Sequence, residues 1–144
     1  MRRKGVLAVL GALLAVTLSA CAGGRVDRAP TATPDVEQAQ AIAANVLAAY
    51  SSGDYRAFSR DLSLPARLIV DEDTFAEFRT ESLPVTGAFE AITAVQPVPG
   101  ERGRDHVSYL VHAEFQHHDD VVLVMTVSRA GEIDGLELHP RTRW

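Results

Sequence analysis

From residue 35 to 144 the chain predicts an α+β domain: N-terminal helices packed on a curved four-stranded antiparallel sheet. Apolar residues recur at helical spacing from 36 to 82. After Leu83-Pro84 the period changes to two, and short alternating segments follow one another between turn residues. A run of helices followed by a run of strands is the pattern of an α+β domain, with the helices gathered on one face of the sheet.

The first helix is expected to open near Pro34, with Thr33 as N-cap and Pro34 at the first helical position. Asp35 and Glu37 place acid in its first turn. Val36, Ala39, Ala43, Val46, Leu47 and Tyr50 form its apolar face. Gly53, after Ser51-Ser52, supplies the left-handed residue that ends a helix. Asp54 caps a second, short helix in which Tyr55, Phe58 and Leu62 share a face, and Leu64-Pro65 interrupts. A third helix is expected over 71–82, with an acidic first turn and with Phe75 and Phe78 three apart.

The first strand is read from Phe89, Ala91, Thr93 and Val95 alternating with polar neighbours. Residues 97–105 form a loop. The second strand is the cleanest: Val107, Tyr109, Val111, Ala113 and Phe115 on one face, Ser108, Leu110, His112, Glu114 and Gln116 on the other. His117-His118-Asp119-Asp120 is expected as the turn into an apolar third strand over 121–128. A fourth, from Ile133 through Leu136 and Leu138, stops at Pro140, and Gly135 within it marks a bulge or a close backbone approach. A long second strand beside a shorter first one implies a curled sheet.

Composition narrows the functional classes. The chain has 144 residues, enough for one domain, and 47% of them are apolar, enough for a core. A net charge of −5 argues against nucleic acid, whose binders need a basic face. The single cysteine, Cys21, rules out an internal disulfide framework and a cysteine-based zinc finger.

That cysteine closes a short N-terminal address. Met1-Arg2-Arg3-Lys4 is basic, Val6 to Leu18 is apolar, and Leu18-Ser19-Ala20-Cys21 follows. The last four residues resemble the lipobox of bacterial lipoproteins. The resemblance implies that residues 1–20 are removed and that Cys21 carries diacylglycerol and fatty acid as the new N-terminus. An uncleaved span is disfavoured by length, since 6–20 falls short of the ~20 residues a bilayer needs. An ordinary secretory signal stays open as the alternative. Cleavage removes Arg2, Arg3 and Lys4, leaving 11 arginines against 19 acids, a net charge of −8. Residues 22–34, rich in Gly, Ala, Pro and Thr, read as a tether. The expected location is therefore the cell membrane, lipid-anchored on its extracytoplasmic side.

Within the domain, Asn45-Val46-Leu47 leads into Ser52-Gly53-Asp54-Tyr55-Arg56-Ala57-Phe58, and the chain closes on Gly131-Glu132-Ile133-Asp134-Gly135-Leu136. These steps resemble small bacterial domains of the nuclear-transport-factor-2-like (cystatin-like, SnoaL-like) superfamily. The resemblance covers about 36–140 and implies a cone, a curved sheet wrapped around helices with a central pocket. It implies no single activity, because that superfamily hosts enzymes and binding modules alike.

The pocket candidates are Tyr50, Tyr55, Phe58, Phe75, Phe78, Tyr109, Phe115 and Met125, which line a cavity for a small apolar ligand or simply fill the core. Relatives resembling ketosteroid isomerase use buried carboxylates beside a tyrosine. Here the second strand's inward row carries none, and Asp61 is only a loose candidate. A non-catalytic binding or accessory module is expected, with a small isomerase- or cyclase-like enzyme as the alternative. No cofactor or metal is expected, because His117 to Asp120 are neighbours that splay apart on a turn. Gly100-Glu101-Arg102-Gly103 has the spacing of a nucleic-acid-clamping loop but joins strands rather than helices. The sheet's outer face, with Leu110, Val122 and Val124, is read as a homodimer surface or as covered by the C-terminal tail ending in Trp144.

Overall fold

Asp35, not Thr33, opens the first helix of the computed structural model, which describes residues 34–98 and 105–140. Cys21, residues 22–33 of the tether and Trp144 lie outside the described residues. The Asp35 side chain accepts from the Gln38 backbone N–H (2.8 Å) while the Gln38 side chain accepts from the Asp35 N–H (3.3 Å). This reciprocal capping box outweighs the preference of proline for the first helical position. Pro34 instead sits buried before α1 (Val36–Ser52), its carbonyl accepting from the Tyr109 hydroxyl.

Gly53 ends α1 in the left-handed region, φ 77°, as its sequence position predicts. Asp54 then caps α2 (Tyr55–Ser59) through the Ala57 N–H. The break expected at Leu64-Pro65 is a third helix instead, α3 (Leu64–Ile69), so the domain has four helices rather than three. Ser63 caps it by accepting from the Ala66 N–H, and Pro65 falls in its first turn, where a missing N–H costs nothing. Asp71 caps α4 (Glu72–Thr86), which passes through Leu83-Pro84 and ends at Gly87.

Four antiparallel strands follow in an open sheet of order β1-β2-β3-β4: β1 (Phe89–Val98), β2 (His106–Phe115), β3 (His118–Ser128) and β4 (Ile133–Pro140). β1 is as long as β2, against expectation. Its phase also differs. Bulges lie between Phe89 and Ala91 and between Ile92 and Ala94, so Phe89, Ile92 and Val95 pack on the core while Ala91 and Thr93 are exposed. β2 keeps the expected inward row, with Tyr109, Val111, Ala113 and Phe115 at most 2% exposed. His118 already belongs to β3, so the turn is shorter than the four residues 117–120. A bulge does fall at Gly135, where Thr126 and Val127 oppose Gly135 and Ile133.

The core forms where α1 lies over the inner face. Ala39 and Ala43 are fully buried, small enough for close helix–sheet packing, and belong to one core with Val111, Ala113, Val121 and Met125, all fully buried too. The segment after α2 is stitched to the sheet edge. Ile133 donates to the Asp61 carbonyl (2.8 Å) and accepts from the Ser63 N–H (2.9 Å), making a parallel bridge at Leu62.

Candidate functional site

A cleft of about 390 Å³ lies between the helices and the β3–β4 side of the sheet. Each wall follows from a local periodicity. α1 contributes Val46, Leu47 and Tyr50, three and four residues apart on the face that also carries Ala39 and Ala43. Phe58 comes from α2, Val70 from the end of α3, and Thr74 and Phe78 from successive turns of α4. On the sheet, Leu123 faces Leu138 and Met125 faces Leu136, so the leucines of β3 and β4 stand on the inner face. Glu137 and His139 complete the lining from β4.

The polar groups here have partners. The Tyr50 hydroxyl meets Ser82 Oγ at 2.8 Å and Thr86 Oγ1 at 3.2 Å, which fixes its ring beside Phe78, centroids 5.7 Å apart. Glu137 Oε2 lies 3.2 Å from His139 Nε2; the two residues pair with Val124 and Val122 and alternate with Leu136 and Leu138, so this well-exposed pair stands on the outer side of β4. Asp71, at the head of α4, accepts from the Thr74 N–H. That bond holds its carboxyl below the usual range.

The eight aromatic and methionine candidates divide. Tyr50, Phe58 and Phe78 line the cleft. Phe78 is 41% exposed, so it closes one side rather than filling the interior. Tyr55 and Phe75 stand outside the lining, with Phe75 against both Phe58 and Tyr55, centroids 4.5 and 5.6 Å apart. The Tyr55 hydroxyl donates to the Val70 carbonyl (3.0 Å). Tyr109, Phe115 and Met125 are core residues, not lining ones. Burial, with the nearby Asp35 carboxylate, raises the Tyr109 phenol above its ordinary value.

Val46, Leu47, Val70, Thr74, Leu123, Leu136, Glu137, Leu138 and His139 are the lining residues that sequence reading did not single out. Most carry the same apolar periodicity as core positions, so no local signal separates them. Leu136 and Leu138 are legible in the sequence only as residues of the fourth strand.

Elsewhere, ionisable side chains are engaged with each other. Asp61 Oδ2 accepts from Asn45 Nδ2 (2.9 Å), and both its oxygens face Arg60 at 3.1 Å. His112 pairs with Asp120 at 3.0 Å and His106 with Asp134 at 2.8 Å. Among the described residues no three His, Cys, Asp or Glu side chains converge as metal ligands, and no helix is long and apolar enough to cross a membrane. Gly100 to Gly103 lie outside the described residues.

Comparison with known proteins gives no matching family model, no matching curated protein and no matching solved structure. Chemically, the cleft offers apolar contact over most of its wall.

Proposed function

We propose that this chain is a bacterial lipoprotein, anchored by lipid on Cys21 at the extracytoplasmic side of the cell membrane. Its domain is a variant of the nuclear-transport-factor-2-like cone and binds a small apolar ligand without transforming it. The observation that carries the binding role is the cleft of about 390 Å³, within the size range of small-molecule sites and walled by Val46, Leu47, Phe58, Leu123, Leu136 and Leu138. Bulges in three strand pairs support the curvature a cone requires.

Titration with an apolar fluorescent probe tests the site. Binding that saturates at one probe per chain and is lost in Leu138→Trp, with unchanged circular dichroism, is the expected result. Equal binding by Leu138→Trp sinks the cleft as the site. For the anchor, globomycin or Cys21→Ala is expected to block maturation; unchanged processing and membrane retention under both refutes it.

The alternative, a small isomerase- or cyclase-like enzyme, needs an acid or base at the cleft, and Glu137 is the carboxylate residue among those that line it. It gains ground if a bound ligand is altered by the wild type and not by Glu137→Gln. A homodimer through the outer sheet face, around Leu110, Val122 and Val124, is tested by light scattering of residues 35–144, which carry no lipid. A monomer at tens of micromolar removes it.

A further inference from the structure

α3 is unlike the other helices in what it shows to solvent. Leu64, Leu68 and Ile69 are 70%, 76% and 74% exposed, on a helix of six residues. Leu64 and Leu68 are one turn apart on one face, and Ile69, about 100° round the helix from Leu68, extends the apolar surface along the solvent side of α3. Soluble surfaces scatter large aliphatic residues singly; a contiguous, protruding group marks an interaction site. Nothing in the internal packing requires this exposure, because α3 is already held by Ala66 in the core, by the Ser63–Ile133 hydrogen bond and by Arg67, which donates to the Leu62 and Arg60 carbonyls.

The point where the chain enters the domain lets the anchoring membrane cover the patch. Pro34, the first described residue, is pinned by Tyr109. From there α1 runs to Asn45, whose amide bonds Asp61, three residues before Leu64. That stretch of helix is about 16 Å long at 1.5 Å per residue. The thirteen-residue tether 22–34 reaches up to about 45 Å when extended. A membrane anchor at Cys21 therefore leaves α3 free to reach the bilayer surface. The two arginines beside the patch are turned to the protein: Arg67 donates to the Leu62 and Arg60 carbonyls and Arg60 pairs with Asp61, so the contact rests on the aliphatic side chains. The acids Asp71, Glu72 and Asp73 follow closely and limit the depth of entry.

From this geometry we infer that α3 is a lipid-surface contact: Leu64, Leu68 and Ile69 enter the interfacial layer of the membrane that holds the chain. The inference rests on the lipoprotein reading. It goes beyond tethering, because it fixes which side of the domain faces lipid. Val70, the next residue, lines the cleft, so the contact brings the cleft to the membrane surface.

The test uses the lipidated full chain reconstituted in vesicles of phosphatidylethanolamine and phosphatidylglycerol. Its Cys21 sulfur is blocked by the thioether, so Leu68→Cys, Ile69→Cys and the exposed control Glu90→Cys each present one thiol for a polarity-sensitive fluorophore. The expected result is blue-shifted emission and several-fold slower iodide quenching at 68 and 69, with position 90 unchanged. The Leu64→Ser/Ile69→Ser background is expected to return the label at 68 to the control value. Equal emission and quenching at all three positions overturns the contact. So does a blue shift that appears without vesicles as protein concentration rises, which would assign the patch to a second copy. Failure of the anchor is read separately, from processing in globomycin. In that event the labelled chains carry Cys21→Ala and vesicles are added: a shift at 68 and 69 keeps the contact, and no shift removes it.

Discussion

Replacing Gly53 by alanine probes the joint between α1 and α4. Gly53 sits at φ +77°, where a β-carbon costs ~1–2 kcal/mol. That β-carbon would also lie 2.7 Å from Arg79 Nη1 and 2.9 Å from its Cζ. The guanidinium cannot simply step aside. Its Nε donates to the Tyr50 carbonyl (2.5 Å) and its Nη2 to the Ser51 carbonyl (3.1 Å), closing the last turn of α1, and it lies 5.9 Å from the centre of the Phe75 ring. Hydrogen bonds from a charged donor contribute ~1.5–3 kcal/mol, and disturbing them adds to the backbone strain. Gly53→Ala is therefore expected to cost ~2–4 kcal/mol in all. Urea unfolding of the mature chain measures it, as a lower midpoint with unchanged slope. The cycle with Arg79→Ala is decisive. Once Arg79 is gone the alanine faces only its own backbone strain, so the coupling is expected at ~1–2 kcal/mol. If Gly53→Ala costs the same with and without Arg79, the steric argument is wrong.

Tyr109→Phe leaves the buried Pro34 carbonyl without a donor and is expected to lower stability by ~1–3 kcal/mol in the same assay. Because burial raises the Tyr109 phenol, its neutral form is the one the fold favours. Its contribution is complete below pH ~10, the unfolded value, and is lost as pH rises through the folded value; ultraviolet titration should show a late ionisation that is absent from Tyr109→Phe. Asp71 has the opposite sign. Its carboxyl is lowered by the Thr74 N–H, so its contribution is present above the unfolded value and lost as pH falls through the folded one. Asp71→Asn, which keeps the cap, is expected to flatten the acid limb of the stability profile. Met125→Ala, at a fully buried site facing Tyr109 and Leu136, is expected to cost ~2–5 kcal/mol by denaturant unfolding.

Features set by adjacent residues were legible in the sequence. Gly53 as helix terminator, Asp54 as cap and the inward row from Tyr109 to Phe115 all depend on local chemistry, and all stand where expected. Pro65 was ambiguous because proline breaks a helix from inside and begins one from its first turn; Ser63 three residues before Ala66 decides for the second. The phase of β1 was not legible at all. Its bulges arise from the register against β2, which no window of β1 contains. The cleft is hidden for a related reason. Val46 and Leu47 line it while Ala43, on the same helix face, is fully buried core, and which of them meets empty space depends on how far α4 and β4 stand off.

The β1 bulges bear on how this chain can change length. Glu90 and Thr93 are the residues skipped in the pairing with β2, and both are exposed. Without them Phe89, Ala91, Ile92, Ala94 and Val95 would alternate in and out in strict order. Elsewhere along a ladder, deleting one residue turns every later side chain to the wrong face. At 90 and 93 a deletion instead regularises the strand and sacrifices local twist and, at 93, the exposed hydrogen bond from Thr93 Oγ1 to the His112 carbonyl. Homologous chains one or two residues shorter in this segment would thus keep the same inward residues, and an alignment gap there would mark a flatter sheet, not a different fold.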